Sequence, residues 1–117
     1  MISGNVTKDK SEDFALRIVR LYKYLLDEKQ ESIMSKQILK SGTSIGANIA
    51  ESVYAASKAD FINKLQIAQK EAGETRFWLE LLYKSDYLDK KQFDDIIKDC
   101  EELLKLLTAT LKTSKSK

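Results

Sequence analysis

The sequence predicts an all-α protein that folds as an antiparallel four-helix bundle with up-down-up-down topology. Three observations lead to this prediction. The chain of 117 residues has no proline and only four glycines, the two residue types that most disfavour the interior of a helix. Hydrophobic residues form 43% of the chain and charged residues 32%, a balance typical of a globular domain. Apolar residues also recur at helical spacing in four segments joined by short polar connections, which is the pattern of a single bundle.

The apolar stripes and the capping residues set the predicted boundaries of the helices. Ser11 is the expected N-cap of the first helix. The pairs Ser57 with Asp60 and Asp89 with Gln92 have capping-box spacing and are predicted to begin the third and fourth helices. The predicted segments are a flexible N-terminus at 1–10, helices at about 11–29, 33–56, 58–84 and 90–112, and a basic flexible tail at 113–117.

Residue types that the chain lacks exclude several classes of active site. There is no histidine, so Ser-His-Asp and Cys-His catalysis, histidine-bound zinc and histidine-containing di-iron centres are excluded. Cys100 is the one cysteine and can form no internal disulfide. Glu71 and Glu74 of the third helix fall beside the core positions, which disfavours a carboxylate metal site. We therefore expect no enzymatic activity, no metal and no cofactor.

Targeting and membrane-spanning patterns are also missing from the sequence. No segment approaches the roughly 18 consecutive apolar residues that a transmembrane helix needs. The N-terminal sequence MISGNVTKDK lacks the basic and then apolar order of a signal peptide. Together with the single unpaired cysteine, these features predict a cytoplasmic protein.

The segment KSGTSIGANIAES, residues 40–52, places small residues in the middle of the second helix. On a helix, Gly42, Gly46 and Ala50 follow one another at intervals of four residues and form a ridge that lets another backbone approach closely. An interior glycine costs about 1 kcal/mol relative to alanine, so a compensating contact is expected. Close packing of this small-residue ridge is favoured over the alternative, a ligand site beside it.

Two polar residues of the same segment lie beside the ridge. Asn48 and Glu51 are three residues apart and share a face of the predicted helix. We expect them to join a polar network with Thr75 or Arg76 of the third helix. A structural network is favoured over catalysis, because nothing else in the sequence supports a catalytic site.

Basic residues recur along one side of the first two helices. Together with a tyrosine ring, they form the pattern of a surface that faces a phosphate backbone. The alternative is a solvated face whose charges pair with the acidic residues Asp13, Asp27 and Glu28. The candidate nucleic-acid patch consists of Arg17, Arg20, Lys23, Tyr24, Lys36 and Lys40.

The chain has more aromatic residues than the core of one small bundle can hold beside its aliphatic residues. Excess aromatic surface is typical of contacts between subunits. The sequence therefore predicts self-association. The candidate subunit-interface residues are Tyr54, Phe77, Trp78 and Tyr83.

The second and third helices also carry a family motif. The pattern Ser-Ile-x-x-Asn-Ile-Ala-Glu is matched by Ser44, Ile45, Asn48, Ile49, Ala50 and Glu51. The chain thereby resembles a bacterial four-helix bundle family first named for proteins encoded within intervening sequences of large-subunit ribosomal RNA genes. That family includes the accessory protein of diversity-generating retroelements. The segment IAQKEAGETRFWLELL, Ile67 to Leu82, is similar to the family's third helix, and the resemblance covers about residues 11–112.

The resemblance implies a homopentameric ring of four-helix bundles. In the retroelement accessory protein, a basic surface binds nucleic acid and a reverse transcriptase, so RNA, DNA or a reverse-transcriptase-like protein are the implied partners. The formal net charge of this chain is only +2, which is low for such a surface. Two functions therefore stay open: a non-catalytic oligomeric adaptor or scaffold that binds nucleic acid or a nucleic-acid enzyme, and an oligomeric protein-interaction module with no nucleic-acid role.

Overall fold

Residues 6–116 are described by a computed structural model, and they form four α-helices with no strand among them. The bundle is rod-shaped, with extents of 46 × 21 × 19 Å. Over this range, no helix combines the length and the apolar character needed to cross a lipid bilayer. The all-α prediction is confirmed. The helices are α1 (Val6–Lys29), α2 (Met34–Ser52), α3 (Lys58–Lys84) and α4 (Lys90–Lys115).

Neighbouring helices run in opposite directions and pack along their lengths. The position of Gly42 on α2 contacts Ile18 of α1, while Gly46 lies beside Ser11, nearer the start of α1. α1 and α3 occupy one diagonal of the bundle, and α2 and α4 occupy the other. Contacts of the same antiparallel order join Ser41 with Thr75 and Glu51 with Lys64 (α2 and α3), Gln69 with Thr108 and Arg76 with Glu101 (α3 and α4), and Lys10 with Glu102 and Arg17 with Asp95 (α1 and α4).

One core of buried apolar side chains runs through the bundle and receives residues from all four helices. In α3, the buried residues follow the alternating three-residue and four-residue steps that the sequence predicts, with Thr75 between Ala72 and Leu79. Burial of a Leu or Ile side chain contributes about 1.5–3 kcal/mol, so this core is the main source of stability. The fully buried side chains from α1, α2 and α4 include Phe14, Ile18, Leu25, Ile38, Ile45, Ile49, Leu103 and Leu107.

The predicted caps of α3 and α4 are both present. The side chain of Ser57 accepts a hydrogen bond from the backbone N–H of Asp60 at 3.0 Å. At the start of α4, the Asp89 carboxylate accepts from the N–H of Gln92 at 2.8 Å, and the Gln92 side chain accepts from the N–H of Asp89 at 2.9 Å. Each bond satisfies a backbone donor that the helix leaves unpaired, which explains why α3 and α4 begin where the sequence predicts.

α1 begins at Val6, five residues before the predicted start, so residues 6–10 are helical and not a flexible segment. Ser11 is not an N-cap, because it lies inside α1 and its hydroxyl donates to the carbonyl oxygen of Lys8 at 2.7 Å. Thr7 and Ser11 are buried and continue the inward face of α1 toward the N-terminus. A count of apolar residues omits these two small polar side chains, which explains the missed turn. Residues 1–5 lie outside the range that the structure describes.

The ends of α2 and α4 also differ from the predicted boundaries. α2 ends at Ser52, four residues early, because the next backbone N–H groups bond to carbonyl oxygens three residues back and tighten the chain into a turn. α4 continues to Lys115, so most of the predicted flexible tail is helical. Lys112 and Lys115 lie in the last turn, where the helix dipole favours positive charge.

Cys100 is fully buried in the core, and its Sγ lies 3.5 Å from the carbonyl oxygen of Ala72. Burial raises the pKa of the thiol from its ordinary 9.0 to about 12. Because the thiolate is the reactive form, we expect the folded protein to resist a chromogenic disulfide reagent at about pH 8 and to react fully in denaturant. Equal rates in the two conditions would contradict this placement.

The same pKa shift predicts a loss of stability at high pH. The unfolded chain releases the thiol proton near pH 9, whereas the folded chain retains it up to about 12. The folded state therefore binds more protons across this interval, and its free energy of unfolding falls as the pH rises through it.

Candidate nucleic-acid interface

Arg17 is separated from the rest of the predicted patch because its side chain is directed toward α4. Its guanidinium lies 2.8 Å from a carboxylate oxygen of Asp95 and also donates to Asp99. Two charge-assisted hydrogen bonds to carboxylates occupy the donors that a phosphate would need. Arg17 therefore joins α1 to α4 and is removed from the patch. The sequence-based alternative considered acidic partners on α1 and its adjoining turn, and it missed these partners from α4.

Four cations of the predicted patch are exposed on the adjacent helices α1 and α2, and one of them, Arg20, also lines the groove between α1 and α4. Arg20 and Lys23 of α1 are exposed, as are Lys36 and Lys40 of α2. The antiparallel packing of the two helices places Arg20 at about the height of Lys40, and Lys23 at about the height of Lys36. Within residues 6–116, none of the four forms an ion pair. We name these residues the basic quartet.

Tyr24 lies near Arg20 of the basic quartet, but its ring is not fully exposed. It is half-buried and packs against the core, and it lines the groove between α1 and α4. Its ring is therefore shared between the core and this groove. Stacking on an unpaired base requires an accessible ring face, so Tyr24 contributes less to the patch than the sequence predicts.

The groove between α1 and α4 contains two small cavities. One has a volume of 270 Å³ and the other 180 Å³, below the 300–1,000 Å³ of typical small-molecule pockets. The ion pairs of Arg17 and Lys10 with acidic residues of α4 bridge this groove. In the described part of the chain, no three acidic or cysteine side chains are arranged to hold a metal ion. The volumes of these two cavities therefore give no support to a small-molecule site in the groove between α1 and α4.

Gly42 and Gly46 make the close contact that the small-residue ridge predicts. Both glycines are buried. A Cβ atom at Gly42 would lie 2.7 Å from Cγ1 of Ile18, and one at Gly46 would lie 3.3 Å from the backbone oxygen of Ser11. The third ridge residue, Ala50, is half-buried. The two glycines therefore join α1 and α2 of one chain, so they are not a contact between subunits.

The predicted polar network among Asn48, Glu51 and Arg76 does not form. Asn48 donates to a backbone carbonyl oxygen of its own helix at 2.8 Å. Glu51 pairs with Lys64 of α3 at 3.0 Å. Arg76 is directed to the opposite side of α3, where it pairs with Glu101 of α4 at 3.4 Å. The three side chains thus point in different directions. The periodicity of apolar residues identifies the side chains that enter the core, but it does not predict the direction of the polar side chains beside them.

A different polar contact links α2 and α3 inside the core. The hydroxyls of Ser41 and Thr75 lie 2.9 Å apart, and both residues are fully buried. The Thr75 hydroxyl also donates to the carbonyl oxygen of Glu71, 2.8 Å away. Buried hydroxyls are costly unless hydrogen-bonded, so this pair fixes the register of the two helices. The sequence predicts a polar contact for Thr75, but it assigns no role to Ser41.

The four candidate interface aromatics fall into two groups. Tyr54 is 87% exposed and Phe77 is 54% exposed, so both are accessible to a partner. The ring of Trp78 is half-buried and meets Phe77 edge to face, with centroids 5.0 Å apart. Tyr83 stacks on Phe93 of α4 at a centroid distance of 4.5 Å. Tyr83 therefore packs within the chain, whereas Tyr54 and Phe77 retain the exposure that an interface needs.

The sequence of this chain matches a family described as 23S rRNA-intervening sequence protein over residues 5–109. The match spans the small-residue ridge, the basic quartet and most of α4. The chain belongs to this family. The resemblance first seen in the motif of α2 is thereby confirmed, and the family description names no enzymatic activity.

A solved structure supports the fold of this family member. It is the crystal structure of a protein with unknown function from the S23 ribosomal protein family of Bacteroides thetaiotaomicron. The two sequences are 58% identical, the match covers 92% of this chain and 96% of that chain, and the TM-score is 0.91. Among curated proteins, none matches this chain.

Proposed function

We propose that this chain is a non-catalytic scaffold that assembles with copies of itself, as a homopentameric ring, and binds nucleic acid through the basic quartet. The observation that carries the proposal is the quartet itself. Arg20, Lys23, Lys36 and Lys40 are exposed on two adjacent helices, with no acidic partner in residues 6–116. Cations arranged in this way can neutralise phosphates and release their counterions.

Assembly offsets the low net charge of a single chain. Three or four phosphate contacts per copy give a modest affinity that decreases with salt, with a slope of log K against log salt of about −2 to −3 for single strands. Several linked copies bind one nucleic acid with a higher overall affinity than one copy does. A ring of weak sites therefore suits a long or structured polyanion better than a short one.

The non-catalytic part of the proposal rests on the chemistry of the residues present. The chain has no histidine, and burial raises the pKa of its one thiol to about 12. A thiol in this state is a poor nucleophile at neutral pH. The unpaired thiol also suits the reducing conditions of the cytoplasm, where we propose that the protein acts.

A protein partner is the second candidate, and it is favoured by the exposed tyrosine at the end of α2. Tyr54 is 87% exposed and is followed by the turn that leads to α3, next to Val53 with 59% exposure. Exposed tyrosines commonly act as anchors in protein interfaces. Under this alternative, the ring is a protein-interaction module with no nucleic-acid role, and a reverse-transcriptase-like protein is the partner class to test first.

Light-scattering mass measured with and without RNA or DNA tests the proposed function. We expect a pentamer that gains nucleic-acid mass at low salt and loses it as salt rises toward physiological strength. Reversal of three quartet lysines, Lys23→Glu, Lys36→Glu and Lys40→Glu, is expected to weaken binding at least tenfold at low salt and to flatten the salt slope by about 2.

The matched control makes the same change of charge on α4, where Lys98, Lys105 and Lys112 are exposed. The control triple variant is expected to keep most of the affinity, because its lysines lie away from the quartet. Equal losses of nucleic-acid affinity in the two triple variants would mean that the quartet is a solvated surface with no specific role in binding. A pentamer that ignores nucleic acid would favour the protein-interaction module, and a monomeric wild type would overturn the assembly.

A further inference from the structure

Gly73 is a helix-interior glycine that no contact within residues 6–116 explains. It is exposed on α3, and a Cβ atom at this position would meet no atom within 4 Å. Glycine at such a position destabilises a helix relative to alanine. Phe77 and Leu81 follow it along the same outward line and are 54% and 37% exposed. We name the line of Lys70, Gly73, Phe77, Leu81 and Lys84 the α3 outer face.

A second exposed line lies on the diagonally opposite helix. Leu16 of α1 is 55% exposed, and charged residues flank it at helical spacing on the same side. We name the line of Asp13, Leu16, Arg20 and Asp27 the α1 outer face. In residues 6–116, none of its charged members forms an ion pair.

Two contacts inside the bundle fix the relative heights of these faces. Ile18 of α1 contacts the position of Gly42, and the adjacent Ser41 bonds to Thr75 of α3. Ile18 and Thr75 therefore lie at about the same height along the bundle. α1 and α3 run in the same direction. A residue of α1 that lies a given number of positions before or after Ile18 is therefore at about the height of the α3 residue that lies the same number of positions before or after Thr75.

The outer faces are complementary at matched heights. We propose that the α1 outer face of one copy packs against the α3 outer face of the next copy, head to tail. Leu16 would then fill the space that Gly73 leaves open, and opposite charges would meet on both sides of it. The matched pairs are Asp13 with Lys70, Leu16 with Gly73, and Asp27 with Lys84.

Arg20 strengthens the complementarity of the two faces. It lies at about the height of Phe77, whose exposed ring offers a cation–π contact. Glu74, one turn before Phe77, adds an opposite charge close to the same height. In the assembled ring, Arg20 would serve this contact, and Lys23, Lys36 and Lys40 would stay available to nucleic acid.

A twofold contact between two α3 outer faces fits the charges poorly. An antiparallel pair centred on Phe77 would place Lys70 opposite Lys84 and Glu74 opposite Glu80. Like charges in direct contact oppose such an association. The head-to-tail contact avoids this repulsion, and contacts of this kind generate rings when the rotation closes.

This inference deepens the proposed function, because it rests on self-assembly and names the two faces that carry it. Copies related by rotation about an axis parallel to the bundle stay at the same height. The matched heights of the three pairs are therefore what such a ring requires.

Charge swaps measured by light-scattering mass over a dilution series test the contact in the full chain. Asp13→Lys and Lys70→Asp are each expected to raise the dissociation constant of the assembly by on the order of tenfold, through like-charge contact. The chain carrying both substitutions is expected to assemble nearly as well as the wild type, since each copy again meets an opposite charge. Lys98→Glu on α4 is the control and is expected to leave assembly unchanged.

Cross-linking gives a second readout that does not depend on charge. Single variants Leu16→Cys and Gly73→Cys, mixed and oxidised, are expected to form a disulfide between the two different chains. Each variant oxidised alone is expected to form far less. The buried Cys100 stays unchanged in both.

The outcomes separate the contact from the proposed function. An oligomeric wild type whose double swap gives no rescue, together with no mixed disulfide, would overturn the contact and leave the nucleic-acid scaffold standing. A wild-type chain that is monomeric at every concentration would overturn both.

Discussion

Gly42→Ala is expected to lower the free energy of unfolding by about 1–3 kcal/mol, the usual cost of overpacking a core. The added Cβ would lie 2.7 Å from Cγ1 and 2.8 Å from Cγ2 of Ile18. These atoms branch directly from Cβ of a buried, rotamer-restricted side chain, so they cannot move without shifting α1. This cost exceeds the gain of about 1 kcal/mol from replacing glycine in a helix.

The measurement is denaturant unfolding at fixed protein concentration, with thermal unfolding as a check. We expect the Tm to fall by roughly 5–15 °C for a loss of this size. Gly73→Ala is the matched control for the single chain, because its Cβ meets no atom within 4 Å. At concentrations below those that support assembly, the control is expected to gain up to about 1 kcal/mol. If both variants gained stability, Gly42 would not be a close contact.

Glu31→Ala is expected to lower the free energy of unfolding by about 2 kcal/mol. The carboxylate is 7% exposed and caps the start of α2. It accepts hydrogen bonds from the backbone N–H groups of Ile33 at 3.1 Å, Met34 at 3.0 Å and Ser35 at 2.8 Å. Removal leaves three helix-end donors without this partner, and the loss of a helix cap typically costs 0.5–2 kcal/mol.

Urea unfolding of Glu31→Ala beside two controls would check this prediction. Glu31→Gln retains one acceptor oxygen and is expected to lose less stability than the alanine variant. Glu28→Ala removes an exposed carboxylate from the last turn of α1 and is expected to change stability by less than about 0.5 kcal/mol. If Glu31→Ala resembled the Glu28 control, water would be capping α2 equally well.

Features that depend on residues close in sequence were predictable. The caps at Ser57 and Asp89 involve partners three residues away, and both form as expected. The buried stripe of α3 follows from periodicity, since one face of a helix must be apolar to enter a core. The glycines of α2 predicted a close contact for an energetic reason, and Ile18 and Ser11 provide that contact.

Features that depend on partners far apart in sequence were not predictable in the same way. Arg17 pairs with carboxylates of α4 that are 78 and 82 residues away. The spacing of residues along α1 does not predict these partners. The Glu31 cap of α2 was missed although its partners are only two to four residues away, because Glu is not among the residue types that usually cap a helix and Ile33 occupies the N-cap position. Long polar side chains can reach several partners at similar cost, so their direction depends on the assembled surface.

The candidate patch illustrates the same limit. Its cations were identified from sequence because charge is a property of single residues. The structure separates Arg17 from Arg20, Lys23, Lys36 and Lys40, because Arg17 pairs with carboxylates of α4 whereas the other four form no ion pair in residues 6–116.

The even number of antiparallel helices gives the molecule two chemically different ends. α1 starts and α4 ends at one end of the bundle, where the turn carrying Tyr54 also lies, while the other end holds the turns that follow α1 and α3. In a ring of parallel copies, every Tyr54 and every pair of Lys112 and Lys115 would line one rim, and the lysines at positions 23 and 36 would lie nearer the other. Such a ring is polar, so a nucleic acid and a protein could occupy it at once from opposite directions.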